Sequence, residues 1–378
     1  LVGSFASTPT GVVNFGQRPF AYTAPSGFQA INTASLSDPT IADGSTVMDV
    51  VTYTGNGSTQ TISGLGFSPD LVWIKNRAAA DNHKLLDTIR GATNELESNT
   101  TDAEVANADG LTAFNSDGFS LGADVEYNTS SESYVAWTWD AGSSTVSNTD
   151  GSITSQVRAN PTAGFSIVTY TGNGTTGATV GHGLNAAPQM IFTKMRNSGI
   201  ANWNCWHTSL ASGHFISLNT TNASGSQPAY FTTTLPTSSV FYLGNDSYGP
   251  NAGGITQVAY CFAPVDGYSS FGSYTGNGSA TDGPFVYTGH RSRWLMVKRT
   301  DSTGNWVILD TARNPYNPSD TSLYADDSFQ DYTPAQGWAD ILSNGFKPHA
   351  TYAEINASGG TYIYVSFAES PFQYARAR

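Results

Sequence analysis

The string Tyr-Thr-Gly-Asn-Gly occurs three times, beginning at Tyr53, Tyr170 and Tyr274. A chain that repeats itself at intervals on the order of 100 residues must fold as a tandem array, since that is the ordinary size of one β-sandwich. Short β-branched runs precede the first two copies, Val50-Val51-Thr52 and Ile167-Val168-Thr169. Asn-Gly supplies the positive φ angles of a tight turn, so the pentapeptide reads as a strand ending in a type I′ hairpin.

Further landmarks follow in the same order. Pro69-Asp-Leu-Val-Trp-Ile-Lys-Asn-Arg77 corresponds to Pro188-Gln-Met-Ile-Phe-Thr-Lys-Met-Arg196 and to Arg293-Trp-Leu-Met-Val-Lys-Arg299. Asp87 and Asp310 align with His207. Ser116-Asp-Gly-Phe119 matches Ser343-Asn-Gly-Phe346, a hairpin signal. Each copy closes on an alternating strand, in which Val135/Trp137/Trp139, Val258/Tyr260/Phe262 and Ile363/Val365/Phe367 share one face. Period two with one apolar face predicts half-buried antiparallel strands. The expected fold is therefore all-β, three antiparallel β-sandwich repeats of lectin or jelly-roll type in a row. Residues 1–47 read as an extended remnant of a preceding β domain, 48–142 as repeat 1, 143–163 as a linker, 164–268 as repeat 2 and 269–378 as repeat 3. One short helical turn is expected near Thr101–Ala106.

Composition narrows the function. Charged residues make up only 12% of the chain, and the formal net charge is -13. Phosphate backbones and anionic headgroups repel such a chain, so neither nucleic acid nor a membrane surface is an expected partner. Leu1-Val2-Gly3-Ser4-Phe5 has neither the charged nor the apolar region of a secretion signal, and the chain is expected to continue something longer. Cys205 aligns with Leu85 and Ile308, and Cys261 with Thr138 and Ser366, so both read as packed free thiols.

No motif demands chemistry. Gly172-Asn-Gly174-Thr-Thr-Gly177 fits a dinucleotide pattern, but Ala178-Thr-Val-Gly-His-Gly follows where a helix is required. His83, His182, His207, His214, His290 and His349 lack metal-ligand spacing. The acids Asp326, Asp327, Asp331 and Asp340, and Asp117, Asp124 and Glu126, sit beside Gly, Ser and Asn without a calcium-loop pattern. No catalytic, cofactor-binding or metal-binding residue is expected. Tyr316, Tyr324, Tyr332 and Trp338 stand apart from the strand pattern and are the candidates for surface recognition, because exposed aromatics stack on sugar rings or anchor protein contacts.

The segments from Pro69 to Arg77, Asp87-Thr-Ile-Arg-Gly91, Ser116-Asp-Gly-Phe-Ser-Leu-Gly122 and Tyr134-Val-Ala-Trp-Thr-Trp-Asp-Ala-Gly142 together resemble a repeat module of tail-fibre-like proteins of marine tailed bacteriophages. Val13-Asn-Phe-Gly-Gln-Arg-Pro-Phe20 and Pro25-Ser-Gly-Phe28 resemble the exit of a SPRY-type, lectin-like domain. The resemblance implies a virion structural protein (tail fibre, head fibre or capsid decoration) that contacts other virion proteins, forms a homo-oligomer such as a trimer, and adheres to a host-surface glycan. A secreted bacterial carbohydrate-binding adhesin and a polysaccharide depolymerase are the alternatives.

Overall fold

The computed structural model describes residues 22, 25–28, 35–349 and 351–374. The chain divides into two compact units, Leu1–Asp38 and Pro39–Arg378. In the first, Phe28 N–H donates to the Pro25 carbonyl in a turn; Val13–Phe20, where the exit of a SPRY-type domain is expected, lies outside the described residues.

The second unit is all-β, with antiparallel strand pairing throughout its sheets and, among the described residues, only Val125–Asn128, Ala353–Asn356 and the 3-10 turn Gly44–Thr46 as helix. Three large sheets share one strand order. In the first, Met48–Thr54 is followed across the sheet by Ser133–Trp139, Leu71–Asn76, Lys84–Asp87, Asn94–Glu97 and Val105–Ala106. In the second, the same places are held by Phe165–Thr171, Thr256–Phe262, Met190–Met195, Asn204–His207, His214–Ser217 and Gly225–Ser226. In the third they are held by Ser269–Thr275, Thr361–Pro371, His290–Arg299, Trp306–Asp310 and Leu323–Tyr324. The strand with the pentapeptide thus pairs with the closing strand of its own segment each time, as in Tyr53 opposite Tyr134, Tyr170 opposite Gln257 and Tyr274 opposite Tyr362.

Beside each large sheet a small one contributes to a common apolar cluster. Ile62, Leu111, Phe119 and Leu121 of the first small sheet pack with Val72, Ile74, Leu86, Tyr134 and Ala136. Val180, Phe241 and Leu243 do the same for the second, and Val286, Ile341 and Phe346 for the third. The opposite faces of all three large sheets meet in one central core, which contains Trp137, Trp139, Phe165, Tyr260, Phe262, Trp294, Val365 and Phe367. Trp139 alone touches Phe165, Phe262, Trp294 and Phe367, with ring centroids 5.5–6.4 Å apart.

The closing strands are consequently buried on both faces, and the expectation of half-buried strands is corrected. Their bulky face turns to the shared core, and their smaller face, Ala136, Ala259 and Cys261 among others, to the local clusters. The three segments therefore do not stand in a row. An inner face of tryptophan and phenylalanine is too apolar to leave in water, at about 25 cal/mol for each Å² exposed.

Three equivalent junctions link the sheets. Backbone N–H groups of Glu104, Ser224 and Asp331 donate to the carbonyls of Arg196, Thr300 and Arg77 at 2.7, 3.0 and 3.0 Å, so the first segment binds the second, the second the third, and the third the first. Lys194 Nζ reaches the Thr101 carbonyl (2.7 Å) and Lys298 Nζ the Thr221 carbonyl (3.0 Å). The indole N–H groups of Trp203 and Trp306 donate to the carbonyls of Glu97 and Ser217.

Other expectations change as well. The pentapeptide does not make a type I′ hairpin, because the strand before it and the strand after it, Met48–Thr54 and Gln60–Ser63, lie in different sheets. Instead Asn56, Asn173 and Asn277 accept the N–H two residues on, and the second glycine takes φ near +69°. The first glycine passes so close to the opposing backbone that a Cβ on Gly55 would lie 2.2 Å from the Thr129 carbonyl oxygen. Residues 143–163, expected as a linker, form Thr145–Asn148 and Ser155–Asn160, which extend the edge of the second sheet beside Phe165–Thr171. Linker-like Ser and Asn content conceals that Val157 points into an apolar cluster. The helical turn near Thr101–Ala106 is absent; Val105–Ala106 is a short edge strand, and helix forms at Val125–Asn128 under an Asp124 N-cap. The Ser-Asp-Gly and Ser-Asn-Gly hairpins do form, closing on Asn115 opposite Gly118 and Leu342 opposite Gly345. Cys205 and Cys261 are free and buried, in clusters on opposite faces of one sheet.

Candidate functional site

The third sheet pair carries an open cleft of about 550 Å³ walled by Tyr324, Phe329, Tyr332, Trp338 and Tyr352, with Asp331 and Glu354 among its lining residues. Tyr324 ends a two-residue strand that pairs with Val307. Ser322 and Tyr332 bond each other through both backbone groups, returning the loop to its start. Trp338 precedes the strand Ala339–Leu342, and Tyr352 precedes the helix Ala353–Asn356 that bears Glu354. Ring centroids of Trp338 lie 6.2 Å from Tyr324, 6.1 Å from Tyr332 and 5.2 Å from Tyr352. Tyr332 and Phe329 are exposed, whereas Trp338 is buried behind them.

The loop between Tyr324 and Tyr332 is fastened at several points. Ser98 Oγ donates to the Ala325 carbonyl (2.6 Å), and Asp326 Oδ1 accepts Trp306 N–H (2.7 Å). Asp331 takes Arg77 Nε at 2.8 Å and Arg313 at 3.0 Å, so its charge is compensated from two sides. Burial pushes the Asp326 carboxyl up to about 6, and burial foremost raises the Tyr324 phenol above its ordinary range. A wall held this way is formed before any ligand arrives, which limits the ordering cost of binding.

The matching place in the first sheet is filled by ions. Lys84 pairs with Glu97 across the strands as Val307 pairs with Tyr324. Lys84 Nζ lies 2.6 Å from Glu97, 2.6 Å from Glu126 and 3.2 Å from Glu95. Burial alone would lower this amine, but the three carboxylates outweigh it and hold its pKa above the usual lysine range. Glu95, Glu97 and Glu126 are also, among the described residues, the group of ligand-bearing side chains close enough to hold a metal. Lys84 already supplies their cation.

Of the four aromatic residues that the sequence singles out as exposed, Tyr324, Tyr332 and Trp338 come together here, but Tyr324, in a strand opposite Val307, and Trp338 are buried in the local core, while Tyr316 is exposed and not part of the cleft. Phe329, Tyr352 and Glu354 complete it and were not anticipated. Tyr352 and Glu354 lie outside the long loop, and only the alignment of Ile355-Asn356 with Tyr127-Asn128 could have placed them. The other acids have separate partners: Asp340 meets His349 Nε2 at 2.8 Å, and Asp124 caps its helix through Glu126 N–H.

A family model described as a domain of unknown function, DUF7483, matches residues 43–371. No curated protein and no solved structure matches the chain.

Proposed function

We propose a binding role for this chain, which belongs to the DUF7483 family of domains of unknown function: it is a structural and adhesive component of a tailed-phage virion that holds host-surface glycans in the cleft of its third segment. The observation that carries the reading is the exposed pair Phe329 and Tyr332, on a loop fixed by backbone and ionic contacts and backed by Tyr324, Trp338 and Tyr352. Flat aromatic faces match the C–H faces of pyranose rings, and a preformed site keeps rotamer losses small. The three pairs of large and small sheets are read as copies of one β-sandwich unit, on the shared strand order and the recurring junction contacts. The assignment to a tail fibre, head fibre or capsid decoration rests on the resemblance of the segments between Pro69 and Gly142 to phage tail-fibre-like repeats.

Homo-oligomerisation, a trimer in the form the resemblance implies, belongs to the same proposal, with many weak sites combining through avidity. Proteomics of purified particles tests the virion role, and absence from particles despite abundance in infected cells overturns it. A glycan array probed with the chain and with Tyr332→Ala tests the cleft. Binding that the substitution leaves intact places recognition elsewhere. Native mass measurement tests assembly; a stable monomer at high concentration removes the oligomer.

A further inference from the structure

We infer that the cleft takes amino sugars, holding the ring against Tyr332 and Phe329 and the ammonium at Glu354. The inference rests on the glycan reading above and narrows it to a chemical class.

The argument is an internal comparison. In the first segment Lys84 carries its ammonium into a pocket formed by Glu95, Glu97 and Glu126, with the Tyr127 ring 6.0 Å away. Strand register sets Val307 in the place of Lys84, and Tyr324 in that of Glu97. The two short helices align through Asn128 and Asn356, each of which accepts the asparagine N–H of its pentapeptide, at 2.8 and 2.9 Å. Glu354 therefore stands where Glu126 stands. The third segment has the carboxylate without the lysine that neutralises it in the first. Beside the matching position it has an aromatic cleft.

Glu354 makes no hydrogen bond or ion pair among the described residues. Arg299, the cation that faces it electrostatically, is engaged by both oxygens of Asp301, at 2.9 and 3.2 Å. Asp331 is matched by Arg77 and Arg313. Glu354 is thus the uncompensated charge of the cleft, in a protein whose net charge is -13. An anionic sugar meets repulsion there, and a neutral sugar leaves the carboxylate as it was. A protonated amino sugar satisfies both the aromatic faces and the charge, through a charge-assisted hydrogen bond and a cation–π contact.

Calorimetry of the full chain at pH 6 and low salt, with glucosamine pentamer, N-acetylglucosamine pentamer and choline as probes, tests the inference. The expected result is glucosamine pentamer binding roughly tenfold tighter than its N-acetyl counterpart, the size of one charge-assisted hydrogen bond. Glu354→Gln then abolishes the difference between the two pentamers, and Tyr332→Ala weakens both. Equal binding of the two pentamers overturns the ammonium site and leaves the glycan reading standing. Choline binding as tightly as glucosamine pentamer overturns the amino-sugar assignment, since the ring then contributes nothing. Failure of both pentamers to bind overturns this inference, and the glycan array then decides the broader reading separately.

Discussion

Position 207 shows how one residue is set by its neighbours in two segments. Asp87 Oδ1 caps its own turn by accepting Ile89 and Arg90 N–H, while Oδ2 meets Arg90 and, from the second segment, Tyr260 Oη at 2.8 Å. Asp310 does likewise with Arg313 and with Trp137 Nε1 of the first segment at 3.0 Å. His207 also caps its turn, through Ser209 N–H to Nδ1, but the residues matching Arg90 and Tyr260 are Leu210 and Val365, and its Nε2 faces the Tyr364 carbonyl. The cap was legible from alignment; the partner in the next segment was not, because nothing in a single sequence marks a contact between segments. His207→Asp would bury a carboxylate without a cation beside a carbonyl. It should lower stability by about 3–5 kcal/mol in urea unfolding, although aspartate occupies this place in the other two segments. His207→Asn keeps the cap without the charge and should cost clearly less. The same residue contributes to pH sensitivity. Burial pushes His207 and His182 down to about 4 and His290 to about 3, and it holds His83 well below its ordinary value. These rings are neutral in the folded protein and protonate in the unfolded chain, so their contribution is full above about pH 6.5 and is lost as pH falls towards 4. Asp70 and Asp326, raised by burial to about 6, act in the opposite sense over pH 6 to 4. With four histidines against two aspartates, the urea midpoint should fall between pH 7 and pH 5, and less steeply in His207→Asn. A midpoint that rises over this range would contradict the burial of the histidines.

At the scale of elements, the alternation of the closing strands identified them as strands and paired them with the right face of the large residues. It could not say that the smaller face is also covered. Tyr134, Ala136, Ala259 and Cys261 do not read as a core face, yet the small sheets pack on it. The pentapeptide was legible as a strand end, but its turn chemistry was misjudged because the dipeptide Asn-Gly does not reveal its long-range partner. That partner is a buried asparagine. Asn128, Asn251 and Asn356 accept the N–H groups of Asn56, Asn173 and Asn277 at 2.8–2.9 Å, while their own amides bond backbone carbonyls. Beside each, Tyr53, Tyr170 and Tyr274 donate to the carbonyls of Tyr127, Pro250 and Ile355 at 2.7–2.8 Å. These pairs clamp the end of one strand to the chain that enters the closing strand. Replacing Asn251 by alanine leaves buried donors and acceptors unsatisfied and should cost about 1–3 kcal/mol. Hydrogen exchange should accelerate first at Asn173, whose N–H loses its acceptor. Unchanged protection there would mean that the clamp is not what orders the turn.

On the scale of the whole second unit, the decisive question is whether the three segments are separate folding bodies. Tandem spacing reads as three sandwiches in a row, since a segment of roughly 100 residues is the size of an ordinary sandwich. The shared core argues otherwise. Trp137, Trp139, Tyr260, Phe262, Trp294 and Phe367 come from all three segments and bury one another. The backbone bonds from Glu104, Ser224 and Asp331 then join first to second, second to third and third back to first, so no segment is terminal. An open array could lose an end segment and keep the rest. Here removing any one exposes the inner faces of the other two and breaks two junctions. Unfolding of residues 39–378 should therefore be a single cooperative transition, with calorimetric and van't Hoff enthalpies in agreement. The fragment 43–142, cut away from its neighbours, should be insoluble or bind a hydrophobic dye, because Trp73, Trp137 and Trp139 would face water. Trp139→Ala should weaken all three segments together, by about 3–5 kcal/mol in one transition, since its ring touches residues of both other segments. Three resolved transitions, or a soluble fragment with a cooperative melt, would show that the central core forms only after independent domains have folded.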